Sequence, residues 1–179
     1  MKIKTLIVLM LAVIATTTCC TAKTPVAKTI SKPVKVTDTI MQKAIGDSLY
    51  CMIKQAKKIE LSLLPQVTDS IKKEVKKKIA SKEIGTVHFI VSNPKNYLSN
   101  VQVYGKFVPQ LKITYTHKKQ IVHIKYDFGL RKWGLFDAED KVLGMFDLAS
   151  DNMLRFACQK FPDNRFFHEL LMTREVKTK

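Results

Sequence analysis

The histidines of this 179-residue chain could hold a transition metal only if two or more of them came together. The four are His88, His117, His123 and His168, and none is spaced as HxH, HxxxH or HExxH. His88 and His123 fall on the polar side of two predicted strands, where an exposed imidazole is the ordinary interpretation. The sequence therefore predicts no metal and no cofactor, and these two histidines are retained only as possible ligand contacts.

Two cysteines of the predicted domain could form a disulfide. Cys51 and Cys158 lie on or beside the apolar stripes of two predicted helices. In an oxidising compartment such a pair can be joined, and a bridge over so long a loop contributes roughly 4–5 kcal/mol in the chain-entropy model. Two buried free thiols explain the same pattern, so both alternatives stay open. The absence of CxxC argues against a thioredoxin-like redox site.

Motifs for nucleophilic catalysis are absent from the sequence. It contains no GxSxG, SxxK or GxGxxG and no P-loop. Two carboxylates that meet only in the folded chain would leave no such motif. A hydrolase-like enzyme therefore stays as an alternative function, with no catalytic residue assigned.

The charge is strongly basic and unevenly distributed. The chain has 31 Lys and Arg against 15 Asp and Glu, a net charge of +16. Residues 1–126 contain 22 basic and 6 acidic side chains, whereas residues 127–179 contain 9 of each. This asymmetry predicts attraction to an anionic envelope component or an acidic partner protein, with a merely solubilising surface as the alternative. Nucleic acid is disfavoured, because the lysine-rich run 72–82 has no aromatic residue for base stacking.

The first 22 residues have the order of an export signal. Lys2 and Lys4 precede ten apolar residues, 6–15, and small residues then lead to Cys19 and Cys20. The apolar core is shorter than the roughly 18–20 residues that span a bilayer. This leader resembles that of bacterial envelope lipoproteins, which implies lipidation of Cys19, or of Cys20, and anchoring in a membrane. Ordinary cleavage after Ala22 is the alternative. Residues 23–37, with four Lys, two Pro and no acid, are predicted to be a flexible basic tether.

Residues 38–175 are predicted to form a single α+β domain. Apolar spacings of three and four predict helices over 38–57 and 69–82, a third from Ser150 to Pro162, and a short final helix from Asp163. Alternating patterns predict strands over 58–64, 86–91, 111–116, 122–128, from Trp133, and over 142–146. Clean alternation in consecutive strands indicates an antiparallel sheet of about five strands, with helices packed mainly on one face.

The register of the central hairpin can be predicted from its alternation. Tyr115 opposite Val122 also pairs 113 with 124 and 111 with 126, so that every facing pair is apolar on one side. A one-residue slip breaks this match. A two-residue slip with a four-residue loop keeps it, and Lys118-Lys119 lacks the Gly or Asn that tight turns favour. The same logic predicts Phe128 opposite Trp133 and residue 126 opposite 135.

The exposed polar face of this sheet is the predicted binding surface. It comprises Lys58, Glu60, His88, Lys112, Thr114, His123 and Lys125. The poorly patterned stretch 93–108 adds Tyr97, Tyr104 and Phe107, either as a contact loop or as a loop packed over the edge of the core. We therefore expect a small exported, membrane-anchored binding or accessory protein of the bacterial envelope that recognises an anionic ligand or partner. A structural envelope component without a ligand is the further alternative.

Overall fold

A computed structural model of the chain describes residues 36–66, 73–97 and 105–176, with side chains from residue 39 onward. The predicted leader, both lipidation candidates, Cys19 and Cys20, nearly all of the tether, and Tyr104 lie outside these ranges. No helix among the described residues is long and apolar enough to cross a bilayer.

One open antiparallel sheet of six strands organises the domain, so the predicted α+β class is confirmed, with one strand more than expected. Its strands are β1 (Lys58–Leu63), β2 (Val75–Lys78), β3 (Leu111–His117), β4 (Gln120–Asp127), β5 (Lys132–Phe136) and β6 (Val142–Asp147). They are arranged in the order β2-β1-β3-β4-β5-β6. Only β2 lies out of chain order, so a single strand that folds back on β1 forms one edge of an otherwise sequential sheet.

Within the described part of the chain, five helices accompany the sheet. They are α1 (Val36–Ile45), α2 (Asp47–Gln55), α3 (Ser81–Val91), α4 (Asn152–Lys160) and α5 (Arg165–Val176), with a 3-10 turn at Pro94–Tyr97. The single helix predicted over 38–57 is in fact two, because Gly46 has a φ of +80° and interrupts the helical backbone. The helix that begins at Arg165 has its first turn capped by Asn164, whose side-chain oxygen accepts the N–H of Phe167 at 3.0 Å.

The sheet has one apolar and one polar face. The apolar side chains of β1, β3 and β4 share one face, called here the core face, and Leu61, Ile113 and Ile124 on it are fully buried. They form one cluster with residues from all the helices, including Met41, Met52, Val87, Leu154 and Phe167. The opposite side, called here the outer face, carries Lys58, Glu60, Ser62, Lys112, Thr114, His123 and Lys125.

Of the two registers that the alternation of the β3–β4 hairpin allows, the structure has the one without the two-residue slip. Tyr115 pairs with Val122, Ile113 with Ile124, and Leu111 with Tyr126. The turn is the tight two-residue one, Lys118-Lys119, in which Lys118 has a φ of +55°. Apolar alternation on the core face therefore determines the register even though the turn lacks the glycine or asparagine that usually accommodates such a backbone.

The register predicted for β4 and β5 is wrong by two residues. Tyr126, and not Phe128, pairs with Trp133. Phe128 belongs to the turn, where its N–H donates to the side-chain oxygen of Gln110 at 2.8 Å. The carboxylate of Asp127 accepts the N–H of Leu130 at 2.9 Å, which closes the turn. The Phe128 ring remains in the core through an edge contact with Phe167. An apolar residue at this position is therefore buried without being part of a strand.

Two elements have the opposite type from the prediction. The helix predicted over 69–82 is, in its described part, the strand β2 followed by the start of α3, and the strand predicted over 86–91 lies within α3. In α3 the buried residues are Val87, Ile90 and Val91, at helical spacing, while Phe89 is 75% exposed. The alternation of Val87, Phe89 and Val91 was therefore coincidental. β2 is exposed at all four positions, so pairing with β1 rather than its own pattern makes it a strand.

Gly134 gives a test of how closely β5 and β6 pack on the outer face. A Cβ at this position would lie 2.5 Å from Sδ of Met145 and 2.9 Å from Cε2 of Phe136. We expect Gly134→Ala to destabilise the domain by about 1–3 kcal/mol, as overpacked sites do, when measured by urea unfolding.

The matched control is Gly85→Ala on the exposed side of α3, where an added Cβ meets nothing within 4 Å. It should stabilise the fold by about 0.5–1 kcal/mol, because alanine is the better helix former. Equal effects of the two substitutions would contradict the packing described for Gly134.

Candidate binding surface

The centre of the outer face brings together four of the predicted binding residues. Lys112 and Lys125 are direct cross-strand neighbours, and Thr114 and His123 form the next pair. Two ammonium groups on facing positions repel each other. Each is compensated by a carboxylate: Nζ of Lys112 lies 2.9 Å from Oε1 of Glu74, and Nζ of Lys125 lies 2.8 Å from Oδ1 of Asp140.

These ion pairs leave little of either lysine accessible. The side chains of Lys112 and Lys125 are 18% and 14% exposed, respectively. Lys125 also lies over the ring of Phe136, with Nζ 4.6 Å from the ring centroid. Asp140 reaches it from the β5–β6 turn, where the Asp137 carboxylate accepts the N–H groups of Glu139 and Lys141. The two lysines are therefore engaged within the domain and are poor anion contacts.

Both carboxylates are stabilised in their charged form. Burial raises the pKa of Glu74, but hydrogen bonds from Lys112 and Ser62, together with the charges of Lys112 and Lys76, outweigh it, so this pKa lies below its usual range. The hydrogen bond from Lys125 lowers the pKa of Asp140. At neutral pH the centre of the outer face therefore carries two ion pairs, Lys112–Glu74 and Lys125–Asp140, and not two free cations.

His123 lies between these pairs. Its Nδ1 is 3.0 Å from Oγ1 of Thr114. Burial, and next the nearby charge of Lys112, lower the pKa of His123, so the imidazole is neutral at pH 7. No group of three or more metal-ligating side chains is formed by the residues that the structure describes.

The other predicted contacts separate into different environments. Lys58 is exposed at the start of β1 on the outer face. His88 is on α3 and not on a strand, and it stacks on the core residue Tyr115 with ring centroids 6.0 Å apart. His88 is therefore not part of the outer face, and the prediction that placed it there is wrong.

The aromatic stretch is packed against the domain where it is described. Tyr97 is buried, donates its hydroxyl to the carbonyl of Val91 at 2.8 Å, and packs on Trp133. It is therefore a core residue and not a ligand contact. Phe107 is half-buried and stacks on Phe136 on the outer face, with centroids 6.1 Å apart. The N–H of Val108 donates to the Asp127 carboxylate at 2.7 Å, which fixes this segment.

Cys51 and Cys158 are free thiols in the structure. Cys51 is exposed on α2, whereas Cys158 is buried on α4, and burial raises the pKa of the Cys158 thiol. The buried-thiol interpretation thus describes Cys158, and the exposed position of Cys51 was not anticipated.

A cleft at one end of the sheet was missed by the sequence analysis. It has a volume of about 620 Å³ and lies between α2 and the β3–β4 turn, lined by Ser48, Cys51, Met52, Gln55, His117, Lys118, Lys119 and Gln120. Among the described contacts, no hydrogen bond joins the Cys51 thiol to the His117 imidazole, the arrangement that would activate the thiol. In the sequence, Cys51 was considered only as a disulfide partner or as a buried free thiol, and neither interpretation indicates a cleft.

A second unpredicted feature is the edge formed by β2. All four of its residues are exposed, and Lys76 and Lys78 project on the outer face beside Lys58. Oε1 of Glu60 lies 3.7 Å from Nζ of Lys76, whose side chain is 55% exposed, and the charge of Lys76 also acts on Glu74. A groove of about 260 Å³ adjoins the same strand on its other side, lined by Leu63, Val75, Lys77, Phe161, Asp163 and Asn164.

Comparison with known proteins does not assign this surface to a class. Protein-family models, curated proteins and solved structures all fail to match the chain.

The two half-buried histidines predict how stability depends on pH. Burial lowers the pKa of His88, whose Nε2 has no hydrogen-bond partner among the described residues, and that of His123. Between these lowered values and the unfolded value near 6.5, the unfolded chain binds more protons. The free energy of unfolding should therefore fall as the pH drops below about 6.5.

We expect His88→Phe, which keeps a ring against Tyr115, to reduce this loss of stability between about pH 7 and pH 5. Urea unfolding across that range measures it, and the curves of variant and parent above about pH 7.5 serve as the internal control, because both should run parallel there. An unchanged slope in the acid range would rule out a buried neutral imidazole.

Proposed function

We propose that this chain is an exported, membrane-anchored binding protein of the bacterial envelope that recognises an anionic partner. The observation that supports anion binding is the group of exposed lysines at the β1–β2 edge of the sheet. Lys58, Lys76 and Lys78 share the outer face there, and one carboxylate, Glu60, lies at 3.7 Å from one of them. Such a local excess of positive charge attracts and orients an anionic surface.

The position of this site differs from the one that the sequence predicted. The lysines at the centre of the outer face are paired with Glu74 and Asp140, so anion binding there would require those ion pairs to be broken. At the edge, Lys58 and Lys78 are exposed, and Lys76 keeps a 55% exposed side chain although Oε1 of Glu60 lies 3.7 Å from its Nζ. Their exposure supports Lys58, Lys76 and Lys78, rather than Lys112 and Lys125, as the proposed anion contacts.

Anchoring and export are supported by the leader alone. Two lysines, ten apolar residues and the pair Cys19-Cys20 have the order of a lipoprotein signal. A single lipid chain binds a membrane only marginally, and basic residues add about 1 kcal/mol each near an anionic surface. The four lysines of 23–37 would therefore reinforce a lipid anchor at Cys19.

Anion binding can be tested by removing three charges at the edge. The triple variant Lys58→Ala, Lys76→Ala, Lys78→Ala should bind a fluorescent oligoglutamate peptide about tenfold more weakly than the parent, because exposed ion pairs contribute roughly 0.2–1 kcal/mol each. Fluorescence anisotropy measures the affinity, and binding should weaken as salt is added.

The control removes three exposed lysines elsewhere, by Lys118→Ala, Lys119→Ala and Lys141→Ala, so that net charge falls equally. It should retain most of the affinity. Vesicles containing anionic lipid form a second arm of the experiment. Absence of binding to both probes, or an equal loss in the control, would overturn the proposal.

The leader makes a separate prediction about the mature protein. Protein purified from membranes of the native host should begin at Cys19, or at Cys20, and its intact mass should exceed that of the polypeptide by an acylated glyceryl group. Edman sequencing blocked at the N-terminus would agree with this. A cytosolic product that still begins at Met1 would contradict export altogether.

A further inference from the structure

β2 leaves one edge of the sheet open. It is the terminal strand of the sheet in the described structure and pairs only with β1 there. Residues of an antiparallel strand alternate between those whose N–H and C=O face the neighbouring strand and those whose groups face away. The N–H of Ile79 donates to the carbonyl of Ile59 at 3.0 Å, so residues 77 and 75 also face β1. The backbone groups of Lys76 and Lys78 therefore point outward.

The two sides of this edge have different chemistry. On the outer face, the side chains of Lys76 and Lys78 stand beside the outward backbone groups of the same residues. On the core side, Val75 is 42% exposed and borders the groove of about 260 Å³, whose walls include Leu63 and Phe161. A strand laid against β2 would place alternate side chains over the lysines and into this groove.

The ammonium group of Lys77 is engaged in contacts within the domain, and these contacts hold one wall of the groove in place. Its ammonium donates to the carbonyl of Lys160 at the end of α4 and lies 5.1 Å from the centroid of the Phe161 ring. A cation at a helix C-terminus is favourable, because the last carbonyls lack helical partners. This contact joins the edge strand to the α4–α5 connection and so fixes the wall of the groove.

We propose that the partner is an extended acidic peptide that adds to β2 as a seventh strand. This inference rests on the proposed function and specifies the partner at the same lysines. Main-chain hydrogen bonds to Lys76 and Lys78 supply affinity, as in other cases of strand addition. Acidic side chains opposite these two residues pair with their ammonium groups, and an apolar side chain opposite Val75 enters the groove. The recognised pattern is thus an alternation of acidic and apolar residues.

The test uses the full chain and a synthetic peptide of about six residues in which Asp and Val alternate, a length typical of a strand. A second peptide has the same sequence with N-methyl groups on the backbone nitrogens that face β2. Its charges and side chains are unchanged, but it cannot donate hydrogen bonds to the edge. We expect it to bind at least about tenfold more weakly, since each lost bond costs a net 0.5–1.5 kcal/mol.

A pair of variants isolates the protein's own backbone donor. Lys76→Ala and Lys76→Pro remove the same charge, but only the proline variant also removes the outward N–H. Proline is tolerated on an edge strand when its nitrogen faces solvent, so pairing with β1 should persist, and circular dichroism checks this. Lys76→Pro should bind the unmodified peptide about three- to tenfold more weakly than Lys76→Ala.

Amide hydrogen exchange provides a direct readout that needs no variant. Addition of the Asp-Val peptide should slow exchange at Lys76 and Lys78 specifically, because their N–H groups become hydrogen-bonded. If the N-methylated peptide binds as well as the parent peptide, strand addition is overturned while charge recognition by the edge stands. If anionic vesicles bind and the peptides do not, the peptide inference is likewise overturned. If no anionic probe binds, the proposed function itself fails.

Discussion

Burial of a single apolar sheet face is the interaction on which this structure depends. Leu61, Ile113 and Ile124 occupy successive cross-strand positions on β1, β3 and β4, and all three are fully buried. Each such side chain contributes about 1.5–3 kcal/mol when it leaves water. A slip of one residue would turn a whole strand's apolar side chains outward, so the register follows from this burial. The helices cover the face that results.

The same constraint determines the electrostatics of the opposite face. Once the core face is fixed, Lys112 must stand opposite Lys125, whatever the repulsion between them. Glu74, just before β2, and Asp140, in the β5–β6 turn, are held where they neutralise the two ammonium groups. At the sheet edge the lysines are less fully compensated: the side chain of Lys76 stays 55% exposed although Glu60 lies 3.7 Å from it and its charge also acts on Glu74.

The sequence was informative where side chains alternate over a buried face. It limited the β3–β4 hairpin to two registers, one of which is observed, because three facing pairs are apolar. It failed for β2, whose residues are all exposed and whose strand conformation comes from pairing with a distant segment. It failed for α3, where three apolar residues satisfied a period of two by chance.

The prediction of the binding residues was limited for the same reason. The sequence shows how many lysines there are but not which carboxylates reach them. Lys112 and Lys125 were therefore chosen as anion contacts, although their partners come from other segments of the chain. The structure adds that Thr114 and His123, two further candidates, form the neighbouring cross-strand pair. The edge could not be found in this way, because an edge exists only once the strand order is known.

The exposed lysines of β2 also bear on how copies of this chain behave toward one another. The unpaired backbone groups of an edge strand can pair with another chain and so promote aggregation. Natural sheets reduce this risk with short edge strands and charged residues. β2 is four residues long and contains three lysines in succession. Two copies that met along it would bring like charges into register, so self-templating into cross-β assemblies is suppressed even in a crowded layer of molecules.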